Sequence, residues 1–269
     1  MATVDRLDRL DDIDSEKTVT RPDLGRFFRL AAAQASDLGV RLRLRTDFEK
    51  LRAVNRENRD SWPELFPIFD PTKSDLTTDP AIWIEGLNDR GETISTHAAR
   101  FFRWRGTTLL DEARSLRLFY KDPTPHAAAG DYAVLPDSPG VGISGATACI
   151  GALWVKPAYR SAGLIKITAR LCKAYACRNW DAAVCWAFCD PAHFASGVAR
   201  AFGPVEAEEG VALRLGARDL PAVLSYQDRA SVLAEIASAL RRGEIESSRL
   251  TDTTLMNRSP AQYQGIASR

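Results

Sequence analysis

The chain has 269 residues, and its 36 Lys and Arg against 35 Asp and Glu leave a net charge of +1, which gives no general electrostatic case for a nucleic-acid or membrane partner. Apolar residues make up 45%, enough for a substantial core in one large domain or in a medium domain with extensions. Met1 to Asp14 is dense in Asp and Arg with no apolar segment, and the apolar run Ala182 to Cys189 is too short to span a bilayer, so the expectation is a cytoplasmic protein. Five cysteines without a CxxC pair, and three scattered histidines, point to buried free thiols; no metal is expected.

In chain order, Val4 to Ile13 reads as a short charged helix or an arm. Pro22 opens a helix over Asp23 to Ala35 with Leu24, Phe27, Phe28, Leu30 and Ala31 on one stripe, stopped by Gly39. Val40 to Arg45 alternates apolar and basic residues, the pattern of a half-exposed edge strand. Thr46-Asp47 caps a helix to about Asn58, and Trp62 to Phe69 adds a short apolar segment. Ala81 to Asn88 and Thr93 to Trp104 read as antiparallel strands around the Asp89-Arg90-Gly91 turn. Thr107 to Tyr120 reads as a helix, and the Pro-, Gly- and Asp-rich stretch Lys121 to Gly145 as an ordered loop or insertion.

Ala146 to Val155 is a run of small and apolar residues fit for a buried strand. A loop over Lys156 to Gly163 follows, then a helix over Leu164 to Arg178 with Lys166, Arg170 and Lys173 opposite its apolar stripe. Ala182 to Cys189 has the continuous apolar character of a strand buried on both faces, which predicts a βαβ unit with parallel pairing. Asp190-Pro191 starts a helix to about Phe202, Val205 to Leu215 predicts a hairpin turning near Glu208 to Gly210, and a helix follows Asp228 before a polar tail from Ser247.

The strand–loop–helix at Ala148 to Ala176 carries the chemistry. A loop that opens a helix with small residues leaves backbone N–H groups unshielded, and these suit a pyrophosphate. Ser161, Ala162 and Gly163 are small enough for such an approach, and Arg160 adds a fixed positive charge. The string Val155-Lys-Pro157-Ala-Tyr159-Arg160-Ser-Ala-Gly163-Leu164 resembles the V-x-P-x-[YF]-R-x-x-G-[LIV] segment of the GNAT acyltransferases, the Gcn5-related N-acetyltransferase superfamily. The resemblance covers about Val40 to Leu215 and is strongest between Ala148 and Cys189.

That resemblance implies an α/β (α+β) fold, a GNAT-like mixed and mainly antiparallel twisted sheet with a central βαβ unit flanked by helices. Residues 1–39 would be an N-terminal helical extension, 40–216 the acyltransferase domain, and 217–269 a C-terminal helix and polar tail. It implies acetyl-CoA as donor, held by Leu153, Trp154, Val155, Arg160, Ser161, Ala162, Gly163, Leu164, Ile165 and Asp190, and an amine as acceptor. Ile165 stands where the family prefers Gly or Ala. The position of the family's tyrosine acid falls at Ala199 or Gly197, and the motif strand offers Ala148, Cys149 and Ile150 where many members place a carboxylate. Glu85 and His97, on neighbouring strands, are the candidate bases, each with a plain alternative as a surface or satisfied residue. Asp190 is also suited to cap the following helix. Two other readings stay open: a donor bound to an acyl-carrier protein or bearing a long chain, as in autoinducer synthases of this fold, and a non-catalytic binding protein. Oligomeric state is open, a homodimer included, and no nucleic-acid or membrane partner is expected.

Overall fold

The computed structural model describes residues 21–160, 163–195 and 205–256. Helix α1 (Arg21–Asp37) buries Leu24, Phe27, Phe28, Ala31 and Ala35, one stripe at helical spacing, and Gly39 leaves it with φ 71°. Strand β1 (Arg41–Arg45) lies at a sheet edge, antiparallel to β2 (Ala81–Leu87), as its alternation predicts. Between them α2 (Phe48–Glu57) starts at Asp47, whose side chain accepts from the Lys50 N–H at 3.1 Å. Strand β3 (Thr93–Trp104) pairs antiparallel with β2 and with β5 (Gly145–Val155).

The segment joining β3 to β5 departs from expectation. Its helix α3 spans only Leu109–Arg114, because the chain turns at Leu116 into the left-handed region (φ 61°). What reads as loop contains a short helix α4 (Thr124–Ala128) and a strand β4 (Tyr132–Val134). Strand β4 pairs with β7 (Glu206–Leu215), at the far edge of the sheet.

Helix α5 (Leu164–Asn179) connects β5 to β6 (Val184–Cys189), and these strands are parallel, which is the expected βαβ unit. Helix α6 (Pro191–Ala195) follows; the remainder of the helix expected to Phe202, with Ala199 and Gly197, lies outside the described residues. So do the Val4 to Ile13 segment and the chain beyond Met256.

The hairpin expected to turn near Glu208 to Gly210 turns elsewhere. Strand β7 runs through that stretch with a register shift between Glu208 and Val211, and the reversal comes at Gly216-Ala217, both at positive φ. Strand β8 (Arg218–Asp228) then pairs with both β7 and β6. Residue 216 is therefore a turn inside the sheet, and the stretch after it begins with a strand. Helix α7 (Arg229–Met256) completes the described chain.

Among the described residues the eight strands form one sheet in the order β1-β2-β3-β5-β6-β8-β7-β4, with β5–β6 its parallel pair. One face packs on α1, α5 and α7 through Ile82, Ile84, Ile94, Ile150, Leu171, Val232 and Ile236. The other packs on α2, on the segment between α2 and β2, and on the β3–β5 connection through Trp83, Phe102, Phe69, Phe119, Trp154 and Trp186. Lys173, expected opposite the apolar stripe of α5 with Lys166 and Arg170, is 4% exposed. Its ammonium meets Glu235 of α7 at 2.7 Å and Gln227 of β8 at 2.8 Å. No described helix is long and apolar enough to cross a membrane.

Candidate functional site

Strands β5 and β6 stay in register for three pairs, Thr147–Val184, Ala148–Cys185 and Cys149–Trp186. Beyond them β5 continues to Val155 and β6 to Cys189 with no further pairing between the two. The sheet splits there, leaving the β6-facing edge of β5 as a row of backbone groups lining a wedge.

A bulge lies on β5, in its pairing with β3. Thr96 of β3 faces Trp154 while Ala98 faces Gly151, so two residues of β5, Ala152 and Leu153, oppose His97 alone. Ala152 takes φ 48°, a left-handed conformation that costs an alanine about 1–2 kcal/mol. The Thr96 hydroxyl donates to the Ala152 carbonyl at 2.8 Å and holds it on the β3 side. Leu153 is left in register with neither neighbouring strand. Ala152 itself gives no sequence signal of positive φ, although Gly151 beside it is the residue type that often marks a bulge inside a strand.

At the end of β5 the chain makes a 3-10 turn at Pro157–Tyr159 and enters α5 through Gly163, whose φ of 76° places it in the left-handed region. A Cβ added at Gly163 would meet nothing within 4 Å beyond its chain neighbours. The N–H groups of Leu164 and Ile165 belong to the first turn of α5, where a helix leaves its N–H groups without intrahelical partners. Leu164 is buried in the core beneath and Ile165 is half-buried. Ser161 and Ala162 lie outside the described residues.

The remaining predicted cofactor residues divide by task. Arg160 donates from Nε to the Val155 carbonyl at 3.1 Å and from Nη2 to the Ser61 carbonyl at 3.1 Å, so it ties the end of β5 to the segment after α2. Trp154 stacks on Trp62 at 5.5 Å and 11°, and its indole N–H donates to the Ser61 hydroxyl at 3.1 Å. Both side chains brace the strand, leaving its main chain as the contact surface. Asp190 accepts from the N–H groups of Ala192 and His193 at 2.9 and 3.0 Å, the capping arrangement its position suggests.

The two base candidates stand apart from the wedge. His97 has no exposed surface, lies on the α5 face, and has Nδ1 3.1 Å from the Thr168 hydroxyl. Burial, with Lys173 nearby, holds its pKa down to about 3, so it is neutral at ordinary pH and a weak base. Glu85 is also fully buried. Arg45 and Lys50 each reach it at 2.7 Å and the Thr93 hydroxyl at 2.8 Å. Burial raises its pKa, but the hydrogen bonds from Lys50, Thr93 and Arg45 together outweigh that and lower it. It shares a cross-strand row with Thr96 and Trp154, two strands and so about 10 Å from β5. Both residues are thus buried within the sheet, His97 beside Thr168 and Glu85 among Arg45, Lys50 and Thr93.

No family model matches this sequence, and no curated protein does. Among solved structures, the aminoglycoside acetyltransferase AAC(6')-Ib in complex with coenzyme A and kanamycin overlaps 71% of this chain and 96% of its own, at 16% identity and a TM-score of 0.41. The spermidine N-acetyltransferase from Vibrio cholerae in complex with CoA and spermine overlaps 72% and 98%, at 9% identity and 0.40. Arabidopsis thaliana NAA60 in complex with acetyl-CoA overlaps 71% and 99%, at 14% identity and 0.42. Overlap this loose leaves the chemistry to be argued from the chain's own residues.

Proposed function

We propose that this protein is an acyl-CoA-dependent N-acyltransferase that moves an acetyl group from acetyl-CoA to an amine. One observation carries the reading: a parallel strand pair that parts after three residues, with a strained bulge on β5 beyond the last pair and a helix N-terminus following that strand. The motif resemblance to GNAT acyltransferases at Val155 to Leu164 falls on that same strand end and helix start.

In this reading the N–H groups of Gly163, Leu164 and Ile165 bind the donor's pyrophosphate, with Ser161 and Ala162 completing the loop. The freed edge at Leu153 to Val155 hydrogen-bonds the pantetheine arm, and the Leu153 N–H supports the carbonyl oxygen as charge develops on it. The donor supplies an activated thioester: the amine nitrogen bonds to its carbonyl carbon, the carbon–sulfur bond breaks, and the nitrogen's proton ends on the thiolate. Because Glu85 and His97 are committed elsewhere, the acceptor reacts as its neutral free base, and the chain's work is positioning.

That assignment sets a pH dependence. The histidine's charge change lies near 3, so log kcat/KM is expected to rise steadily from pH 6 towards the acceptor's own pKa, with no inflection from His97. A His97→Gln variant checked for folding should show the same profile shape; loss of an inflection in the variant would restore His97 as the base. The primary test is calorimetric titration with acetyl-CoA, followed by mass spectrometry of amines incubated with both. Micromolar binding is expected. A well-folded protein that gives no heat would remove this donor and leave the carrier-protein or non-catalytic readings.

A further inference from the structure

This inference rests on the acyl-transfer reading and concerns the acceptor. Helix α5 lies on one face of the sheet, so a donor held at its N-terminus approaches the wedge from that side and the acceptor meets the thioester from the other. On that second face, β5 presents Gly151, and the Phe69 ring takes the space above it, 2.5 Å from where a side chain would begin. Across the wedge, Phe188 is the first β6 side chain on this face beyond the last parallel pair. Its ring meets Trp186 at 5.5 Å, Phe66 at 6.2 Å and Phe119 at 6.4 Å, and Phe66 meets Phe119 edge-on at 5.8 Å. Phe66, Ala152 and Phe188 keep part of their surface exposed, so the wall is not sealed.

The charged groups near this wall by register are already engaged. Glu208, whose partner Leu224 pairs with Phe188, accepts from the Gly140 N–H at 2.8 Å, the Tyr226 hydroxyl at 3.0 Å and the Ser138 hydroxyl. Arg100 donates to the carbonyls of Ile68 and Asp75 at 2.9 and 2.8 Å. The donors on Glu208 are all neutral, so the carboxylate keeps its charge, and what the wall itself offers an acceptor is aromatic surface. A single amine on an apolar body would bury that body on ring faces and edges.

We propose that the acceptor is a primary amine carried on an aromatic or aliphatic body, with that body seated against Phe66 and Phe188. The test uses the full chain with 2-phenylethylamine, spermidine and kanamycin as acceptors. Thiol release from acetyl-CoA reads turnover, and saturation-transfer NMR of 2-phenylethylamine reads binding without turnover. The expected result is a higher kcat/KM for 2-phenylethylamine, with Phe188→Ala raising its KM by about tenfold or more and leaving the acetyl-CoA Kd unchanged. Phe188→Leu, which keeps apolar volume and guards against a folding failure, should raise KM by a smaller factor in the same direction. Preference for spermidine or kanamycin, or an unchanged NMR signal and KM in a folded Phe188 variant, overturns the proposal. Binding of 2-phenylethylamine that depends on Phe188, in a protein that ignores acetyl-CoA, would keep the acceptor wall and remove the donor. Acetyl-CoA binding without any 2-phenylethylamine signal would do the reverse.

Discussion

Replacing Gly163 by Trp is expected to weaken acetyl-CoA binding by about a hundredfold or more while lowering Tm by only a few degrees. The stability cost comes from the backbone: φ is 76°, a region that charges an L-residue roughly 1–2 kcal/mol. The added Cβ itself meets nothing within 4 Å beyond its chain neighbours. In a chain of this size, each kcal/mol moves Tm by about 2–4 °C. The binding cost comes from the indole, which would fill the space over the first turn of α5. Two charge-assisted hydrogen bonds from backbone N–H groups, at about 1.5–3 kcal/mol each, account for a loss of that order. A Gly163→Ala variant carries the same backbone cost with little bulk, so it should melt like the tryptophan variant and still bind. Calorimetry beside thermal melts checks both, and wild-type affinity in the tryptophan variant would place the donor elsewhere.

Glu235→Ala is expected to cost about 3–5 kcal/mol, a loss of Tm on the order of 10 °C. Its carboxylate, with 4% of the side chain exposed, takes Arg170 Nε at 2.6 Å and Lys173 Nζ at 2.7 Å, both from α5. Removing it leaves two cations facing each other, one of them fully inside the protein, and lets go of the charged contact between α7 and α5. The combined change Arg170→Met, Lys173→Met and Glu235→Leu removes the charges together and should recover most of the loss, since the penalty is for an unmatched charge and not for the absence of the pair. Urea denaturation of the three proteins measures this directly. A cost below about 1 kcal/mol for Glu235→Ala would mean that apolar packing alone holds α7.

The same network shows where sequence reading stops. Periodicity along α5 finds its apolar stripe, and Leu164, Thr168, Leu171 and Cys172 are indeed buried. It has no means of knowing that α7 brings Glu235 over Lys173 from 62 residues away. The bulge follows the same logic, since Glu208-Glu209-Gly210 carries turn chemistry and only its pairing with β8 makes it a kink within a strand. Pro221 disguises β8, although it sits in the ladder opposite Ala212. What was legible is what is local: the α1 stripe, the Asp47 cap, the β2–β3 hairpin and the strand–loop–helix from Ala146 to Asn179. The motif falls on the end of β5 and the start of α5. Whether Glu85 and His97 can act as bases turns on burial and partners, which residue type alone does not show.

Strand β4 has a mechanical meaning. The sheet's two halves, β1-β2-β3-β5 and β6-β8-β7, meet across a seam of three residue pairs, a joint short enough to hinge. The connection from β3 to β5 leaves the first half, crosses to the outer edge of the second, adds β4 there and returns. Two rivets fix it: Asp131 accepts from the Gly216 N–H at the tip of the β7–β8 hairpin, and Glu208 grips Gly140. A tie running around a joint in this way carries tension whenever the joint opens. A cut within that tie would remove the chain connection that spans the gap between β5 and β6.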